Sequence, residues 1–214
     1  MFHVVVAVTE YPNREDDTME NSYVYAVVSG ARDLHGSPES ESDCVMALCI
    51  IEDPESFEEA MVPLEADASA GTVTCDLCRK ALELMASHVS EVFYVRDRMT
   101  GPVSNVFELR YRYLRMIQPL ADVLAGRYGS GNPVVADVSE DRDVPEYWIE
   151  REFQQNRLGK LSICRVFDCG CEPGVWVADC FAFALDRMLN HGDGSLIGLY
   201  KGRLMECYPY AEMI

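Results

Sequence analysis

The stretch "FHVVVAVTEY" (2–11) decides how the rest of the chain folds, because it is a nearly continuous run of β-branched residues. Such a run is typical of a strand that is buried on both faces and lies at the centre of a sheet. The runs "SYVYAVVSGA" (22–31) and "CVMALCII" (44–51) follow after polar segments, and the length of the last favours a strand over a buried helix. We therefore predict three successive strands joined as a meander.

From residue 53 the apolar residues recur at helical spacing. The segment "TCDLCRKALELMASH" (74–88) spaces Leu77, Ala81, Leu84 and Met85 by three or four residues, which predicts an amphipathic helix. Further predicted helices cover 53–65, 106–129 (bent at Pro119), 144–159 and 173–192, and further predicted strands cover 91–97, 133–139 and 161–168. This alternation predicts an α/β fold with a mixed central sheet covered by helices. We expect one domain over residues 1–192 and a C-terminal appendage over 193–214.

The composition is that of a globular protein with a strongly acidic surface. Of 214 residues, 49% are hydrophobic, and 36 acidic residues against 18 basic ones give a formal net charge of −18. This charge argues against non-specific binding of nucleic acid, which depends on neutralising phosphates. The N-terminus lacks the pattern of a signal peptide and no apolar run has the length of a membrane span, so we expect a cytoplasmic protein without membrane contact.

Three acidic residues are candidates for a metal site because they stand at predicted strand or helix ends. Glu10 ends the first strand, Asp137 ends "PVVAD", and Asp179 opens the last helix. In α/β sheets ligands bind at the carboxyl ends of strands, and carboxylates are the ligands that Mg²⁺ prefers. Each acid also has an ordinary explanation: turn chemistry for a strand-end Asp, the helix dipole for Asp179, and simple solvation for Glu10.

The motifs "VVADVSEDRD" and "LSICRVFDCGCEPGVWVADCFAFALDRM", within 134–188, carry a family resemblance. They resemble a family of RNase H-like domains of unknown function, whose members open with Asp-Glu-Ser-Gly, carry a late strand-end Asp, and close with Asp-Ser and Gln-Ile/Leu-Ala-Asp. Asp137 matches the strand-end Asp, Asp168 the Asp-Ser, and Asp179 the last motif. The resemblance implies an RNase H-like fold and a site that binds Mg²⁺ or Mn²⁺ through Glu10, Asp137, Asp168 and Asp179. Thr9 stands where the family has its first Asp, so we expect a site that is weakened, rebuilt around Glu10 or inactive.

Two further motifs carry alternatives. Cys75 and Cys78 form a C-x-x-C that, with Cys169 and Cys171, has the ligands of a tetrahedral zinc site, but the spacing of the second pair is imperfect and buried thiols are the favoured interpretation. A thioredoxin-type role expects C-x-x-C after the first strand of a βαβ unit, which is not the context here. In "LRYRYLR" (109–115), Arg112 and Arg115 share a helix face and are candidates for holding phosphates, against the more ordinary interpretation of a solvated face.

Two functions remain open from the sequence, beside the less favoured alternative of an unrelated α/β domain with a structural zinc site. The first is a divalent-metal-dependent nuclease or phosphodiester-processing enzyme with Glu10, Asp137 and Asp179 as catalytic residues and nucleic acid as the partner. The second is a non-catalytic RNase H-like module that binds a protein partner. Thr9 and the acidic surface favour the second function. The substrate and the oligomeric state do not follow from the sequence.

Overall fold

A computed structural model describes residues 2–8, 24–30, 43–51, 53–69, 73–98, 105–128, 132–137, 161–164 and 173–209. These residues form an α/β structure in which helices cover both faces of one sheet. The predicted fold class, an α/β protein with a mixed central sheet, is confirmed at this level. The predicted helix over 144–159 lies outside the described residues.

The sheet has seven strands in the spatial order β6-β5-β1-β2-β3-β4-β7. The strands are β1 (Phe2–Val8), β2 (Val24–Gly30), β3 (Asp43–Ile51), β4 (Val89–Arg98), β5 (Asn132–Asp137), β6 (Leu161–Cys164) and β7 (Leu204–Cys207). The first six correspond to the six strands predicted from the sequence. The β-branched β1 lies near the centre of the sheet, as expected for a strand of that composition.

Strand direction divides the sheet into an antiparallel centre and two parallel margins. Strands β1 to β4 pair antiparallel in chain order, so the predicted three-stranded meander is confirmed and continues into a fourth strand. At the margins β5 pairs parallel with β6, and β4 pairs parallel with β7. The central pair of β1 and β5 is antiparallel, with His3 opposite Asp137.

Five α-helices are described, and local sequence accounts for where two of them begin. They are α1 (Pro54–Met61), α2 (Glu65–Ser69), α3 (Cys75–Leu84), α4 (Val106–Tyr128) and α5 (Pro173–His191). Asp53 caps α1 by accepting a hydrogen bond from the Ser56 amide, and Thr74 caps α3 by accepting one from the Leu77 amide. Each bond satisfies an amide that has no partner within its own helix. Helix α4 continues through Pro119.

Strand β3 separates two apolar layers, since its side chains alternate between the faces of the sheet. Val45, Ala47, Cys49 and Ile51 belong to a core formed with α1, α3, α5 and the C-terminal segment. The alternate residues Met46, Leu48 and Ile50 are fully buried on the opposite face, where α4 packs against β3 and β4. The buried residues of α3 are Cys78, Ala81 and Leu82, and Met85 is buried just after the helix ends. Leu84, which we predicted on the apolar face, is 36% exposed.

The C-terminal segment is integrated into the fold. The 3-10 turn Gly198–Tyr200 buries the Tyr200 ring completely, and β7 extends the sheet beside β4. The Tyr200 hydroxyl donates to the Leu82 carbonyl oxygen at 2.6 Å, and the Arg203 guanidinium donates to the carbonyl oxygens of Ala86 and Val89. The expectation of an appendage from residue 193 is therefore corrected for 193–209. The sequence of this segment has no regular apolar period, because it is held by individual side chains, Tyr200 and Arg203, and not by one apolar face of a helix or strand.

Candidate functional site

The register of β1 and β5 determines where Asp137 stands relative to the two ends of β1. Asp137 is the last residue of β5 and lies opposite His3, near the beginning of β1. Strand β1 ends at Val8, about 17 Å from His3 at the rise of an extended strand. Because the two strands are antiparallel, their carboxyl ends lie at opposite edges of the sheet. Glu10 and Asp168, the other two predicted metal ligands, lie outside the described residues, so their place in the predicted site stays a prediction.

Asp179 lies inside α5 rather than at its start. The helix begins at Pro173 and has no acidic residue in its first turn, so Asp179 is its seventh residue. The helix dipole stabilises acidic residues only within the first turn, so it does not account for an aspartate at position 179. Its neighbours Ala178 and Cys180 are fully buried and Asp179 itself is only 9% exposed. A carboxylate in such surroundings is costly unless it is hydrogen-bonded or paired, and Asp179 does have an interaction partner.

The direction of α5 separates Asp179 from the sheet edge that holds Asp137. The Asn190 side chain donates to the Asp43 carbonyl oxygen and accepts from the Asp43 amide, each at 2.8 Å, so α5 ends where β3 begins. That is also the edge at which β1 begins and β5 ends. Asp179 precedes Asn190 by eleven positions, or about 16 Å along the helix axis. In the parts of the chain that the structure describes, no group of three or more His, Cys, Asp or Glu residues is placed to hold a metal ion.

Both candidate phosphate-binding arginines are engaged in ion pairs within the protein. Arg112 is 7% exposed and pairs with Glu108, one turn earlier on α4. Arg115 Nε lies 3.0 Å from Asp97 Oδ2 at the end of β4, which ties α4 to the sheet. Burial raises the pKa of Asp97, while Arg115 acts in the opposite direction. These pairs neutralise both guanidinium groups locally and reduce what they can offer to a phosphate.

The same helix exposes two aromatic rings, of which Phe107 was not among the candidate residues and Tyr111 belongs to the motif "LRYRYLR". Phe107 is 74% exposed and Tyr111 is 43% exposed. They are four residues apart on α4, so they lie on one face of the helix, one turn apart. Arg115 lies a further turn along, its guanidinium 5.9 Å from the centre of the Tyr111 ring. We call Phe107 and Tyr111 the α4 aromatic pair.

A group of thiols lies where α3 and α5 meet. Cys75 is the first residue of α3 and is partly exposed, whereas Cys78, one turn later, is fully buried. A side-chain hydrogen bond joins Cys78 to Cys180 on α5, and this bond, followed by burial, raises the pKa of Cys180. Burial also raises the pKa of the nearby Cys49 on β3. The second half of the predicted zinc set, Cys169 and Cys171, lies outside the described residues.

Comparison with known proteins identifies no relative: no family model matches the sequence, and neither a curated protein nor a solved structure is significantly similar to the chain. No helix among the described residues is both long enough and apolar enough to cross a membrane.

Proposed function

We propose that the chain is a non-catalytic binding module of RNase H-like ancestry that docks a basic, partly apolar segment of a protein partner on the α4 aromatic pair. The observation that carries this proposal is the exposure of Phe107 and Tyr111 on one face of α4. Large aromatic residues are the side-chain type that most often dominates the binding energy of protein interfaces. The ancestry itself rests on the sequence motifs, together with an antiparallel meander that opens the chain and a helix that later packs across it.

Charge indicates the chemistry of the partner. The chain carries 36 acidic and 18 basic residues. Around the aromatic pair, Arg112 and Arg115 are already neutralised by Glu108 and Asp97. A partner segment with Lys and Arg beside apolar residues is attracted by the net field and fills the aromatic face, while an acidic segment is repelled.

The test is binding of a fluorescein-labelled peptide of alternating leucine and arginine, measured by fluorescence anisotropy. We expect saturable binding that weakens with added salt, and about a tenfold or greater loss of affinity in the double variant Phe107→Ser, Tyr111→Ser. The matched control is Leu199→Ser, since Leu199 is 60% exposed elsewhere on the surface. Equal affinity of the double variant and the control, or equal binding of a leucine–glutamate peptide, contradicts the proposal.

A second candidate function is the metal-dependent nuclease, and the burial of Asp179 is the observation that favours it. Buried carboxylates are usually paired or bound to a metal ion, and a divalent cation would offset the cost of burying this one. Titration with Mn²⁺ by calorimetry tests it, with Asp179→Asn as the variant and Asp76→Asn, which alters a 96% exposed side chain, as the control. Saturable binding that is lost only in Asp179→Asn supports a carboxylate site. Equal, weak binding by all three proteins rejects it.

A further inference from the structure

The C-x-x-C motif stands at the first turn of α3, a position at which two cysteines can bond to each other. Cys75 is the first residue of the helix and Cys78 the fourth. Helical geometry places the Cα atoms of such a pair about 5 Å apart, within the range that disulfides span. The helix is 10 residues long and its start is held by the cap that Thr74 provides. The pair can therefore be oxidised by side-chain rotation and a small adjustment of the first turn.

The two thiols differ in access in the way that thiol–disulfide exchange requires. Cys75 is partly exposed, so a small disulfide in solution can reach its sulfur. Cys78 is fully buried, so it reacts only with a sulfur that is already attached to Cys75. An accessible first thiol and a shielded second thiol favour an ordered reaction in two steps.

The charges around Cys75 include both signs. The hydrogen bonds that the Arg187 guanidinium of α5 donates to Asp193 raise the pKa of Arg187, and an electrostatic interaction of this guanidinium with the Cys75 thiol adds to the increase. Asp193 holds this guanidinium through a contact of 2.8 Å, and Asp76 follows Cys75 with a side chain that is 96% exposed. Cys75 thus stands at a helix N-terminus and beside a guanidinium group, two of the surroundings in which reactive cysteines are found.

A third thiol supports the second step. Cys180 is fully buried on α5 and is joined to Cys78 by a side-chain hydrogen bond. That bond and then burial raise the pKa of Cys180, so the Cys180 thiol keeps its proton and is able to donate a hydrogen bond to the Cys78 sulfur during the second step. Cys180 is thus a positioning residue, since it acts through Cys78.

We propose that Cys75 and Cys78 form a thiol–disulfide exchange site whose substrates are small-molecule disulfides such as glutathione disulfide. The Cys75 thiolate attacks one sulfur of the substrate, a mixed disulfide forms on Cys75, and one glutathione thiolate leaves and takes up a proton. The Cys78 thiol then loses its proton and attacks Cys75 Sγ, which forms the Cys75–Cys78 disulfide and releases the second glutathione. Two protein thiols are oxidised and one substrate disulfide is reduced, so the electrons balance.

Reduced full-length protein incubated with glutathione disulfide, quenched with acid and mapped by mass spectrometry, tests the site. The wild-type protein is expected to lose two hydrogens at the peptide carrying Cys75 and Cys78. The variant Cys78→Ser is expected to accumulate a glutathionyl group on Cys75, and Cys75→Ser to leave Cys78 unmodified. Cys207 is the matched internal control, because it is also partly exposed but its pKa is raised by burial. Glutathionylation of Cys75 no faster than that of Cys207, or a mixed disulfide that persists in the wild type, overturns the proposal.

The role of Cys180 has its own readout. In Cys180→Ala, release of the second glutathione is expected to slow by about three- to tenfold, which is the rate effect expected from the loss of one hydrogen bond. The rate at which Cys75 is glutathionylated is expected to stay the same. A general loss of structure would change both steps and would lower the urea midpoint, which is measured in parallel. Equal slowing of both steps, or of neither, rejects the positioning role.

Discussion

Replacement of Tyr200 by Phe tests how the C-terminal segment is held in the fold. The Tyr200 ring is fully buried and meets Phe181 of α5 edge-on, with the ring centres 4.7 Å apart. Its hydroxyl donates to the Leu82 carbonyl oxygen on α3 at 2.6 Å. The substitution removes this hydrogen bond and leaves the ring and its apolar contacts in place, so it isolates the polar part of the anchor.

The expected loss is about 1–2 kcal/mol in the free energy of unfolding. A neutral hydrogen bond contributes about 1 kcal/mol, and the Leu82 carbonyl oxygen loses a buried donor that water does not easily replace. With a urea dependence of about 3 kcal/mol per molar for a chain of this size, the midpoint falls by about 0.3–0.7 M. Equilibrium unfolding in urea, followed by circular dichroism and by tryptophan fluorescence, gives the value.

The matched control is Tyr208→Phe, since Tyr208 is 78% exposed. We expect the midpoint of the control to stay within about 0.1 M of the wild type, as is usual for surface substitutions. A Tyr200→Phe midpoint that equals the control refutes the reasoning, because the bond to Leu82 would then add nothing. A loss above about 4 kcal/mol would also refute it, because the ring could not have kept its place.

Three further predictions concern the core, a helix cap and a surface ion pair. Leu48→Ala removes a fully buried side chain of β3 and is expected to cost about 2–5 kcal/mol, measured by urea unfolding; a cost below about 1 kcal/mol would contradict the packing of α4 on that face. Asp53→Ala removes the cap of α1, whose carboxylate accepts from the Ser56 amide at 3.0 Å, and should cost about 1 kcal/mol, whereas Asp53→Asn should restore most of it. Hydrogen bonds from Ser195 and then Arg187 lower the pKa of Asp193 to about 2, so its contribution to stability is complete above about pH 4 and is lost as the pH falls towards 2. The difference in thermal midpoint between the wild type and Asp193→Asn should therefore vanish over that interval, and a difference that persists below pH 2 would contradict this assignment.

The candidate site was only partly predictable from the sequence. The sequence motifs identified Arg112, Arg115 and Asp179 as candidate site residues, but the ion pair between Arg115 and Asp97 joins α4 to β4 across the fold and has no local sequence signal. The helix that carries Asp179 begins at Pro173, as predicted, so Asp179 lies inside the helix rather than at its start. The thiol group was visible only as C-x-x-C, because Cys180 reaches Cys78 from a helix about a hundred residues later.

What the sequence by itself determined is the set of local elements. Runs of β-branched residues predicted six strands, and helical spacing of apolar residues predicted α1, α3, α4 and α5. Both patterns depend only on residues that are close together in the sequence. The start of α1 is likewise predicted by neighbouring residues: Asp53 caps the helix and Pro54 occupies its first position. These local patterns predict a helix or a strand whatever position the segment takes in the tertiary structure.

Only the tertiary structure decided how those elements are arranged. That β5 runs antiparallel to β1, which places Asp137 beside His3, depends on which strand edges remain to be paired once the meander has formed. That 204–207 becomes an edge strand depends on Tyr200 filling a space among α3 and α5. The physical reason is that strand pairing and burial are long-range choices: backbone hydrogen bonds are available in several registers and directions, and the packing of apolar faces selects one of them.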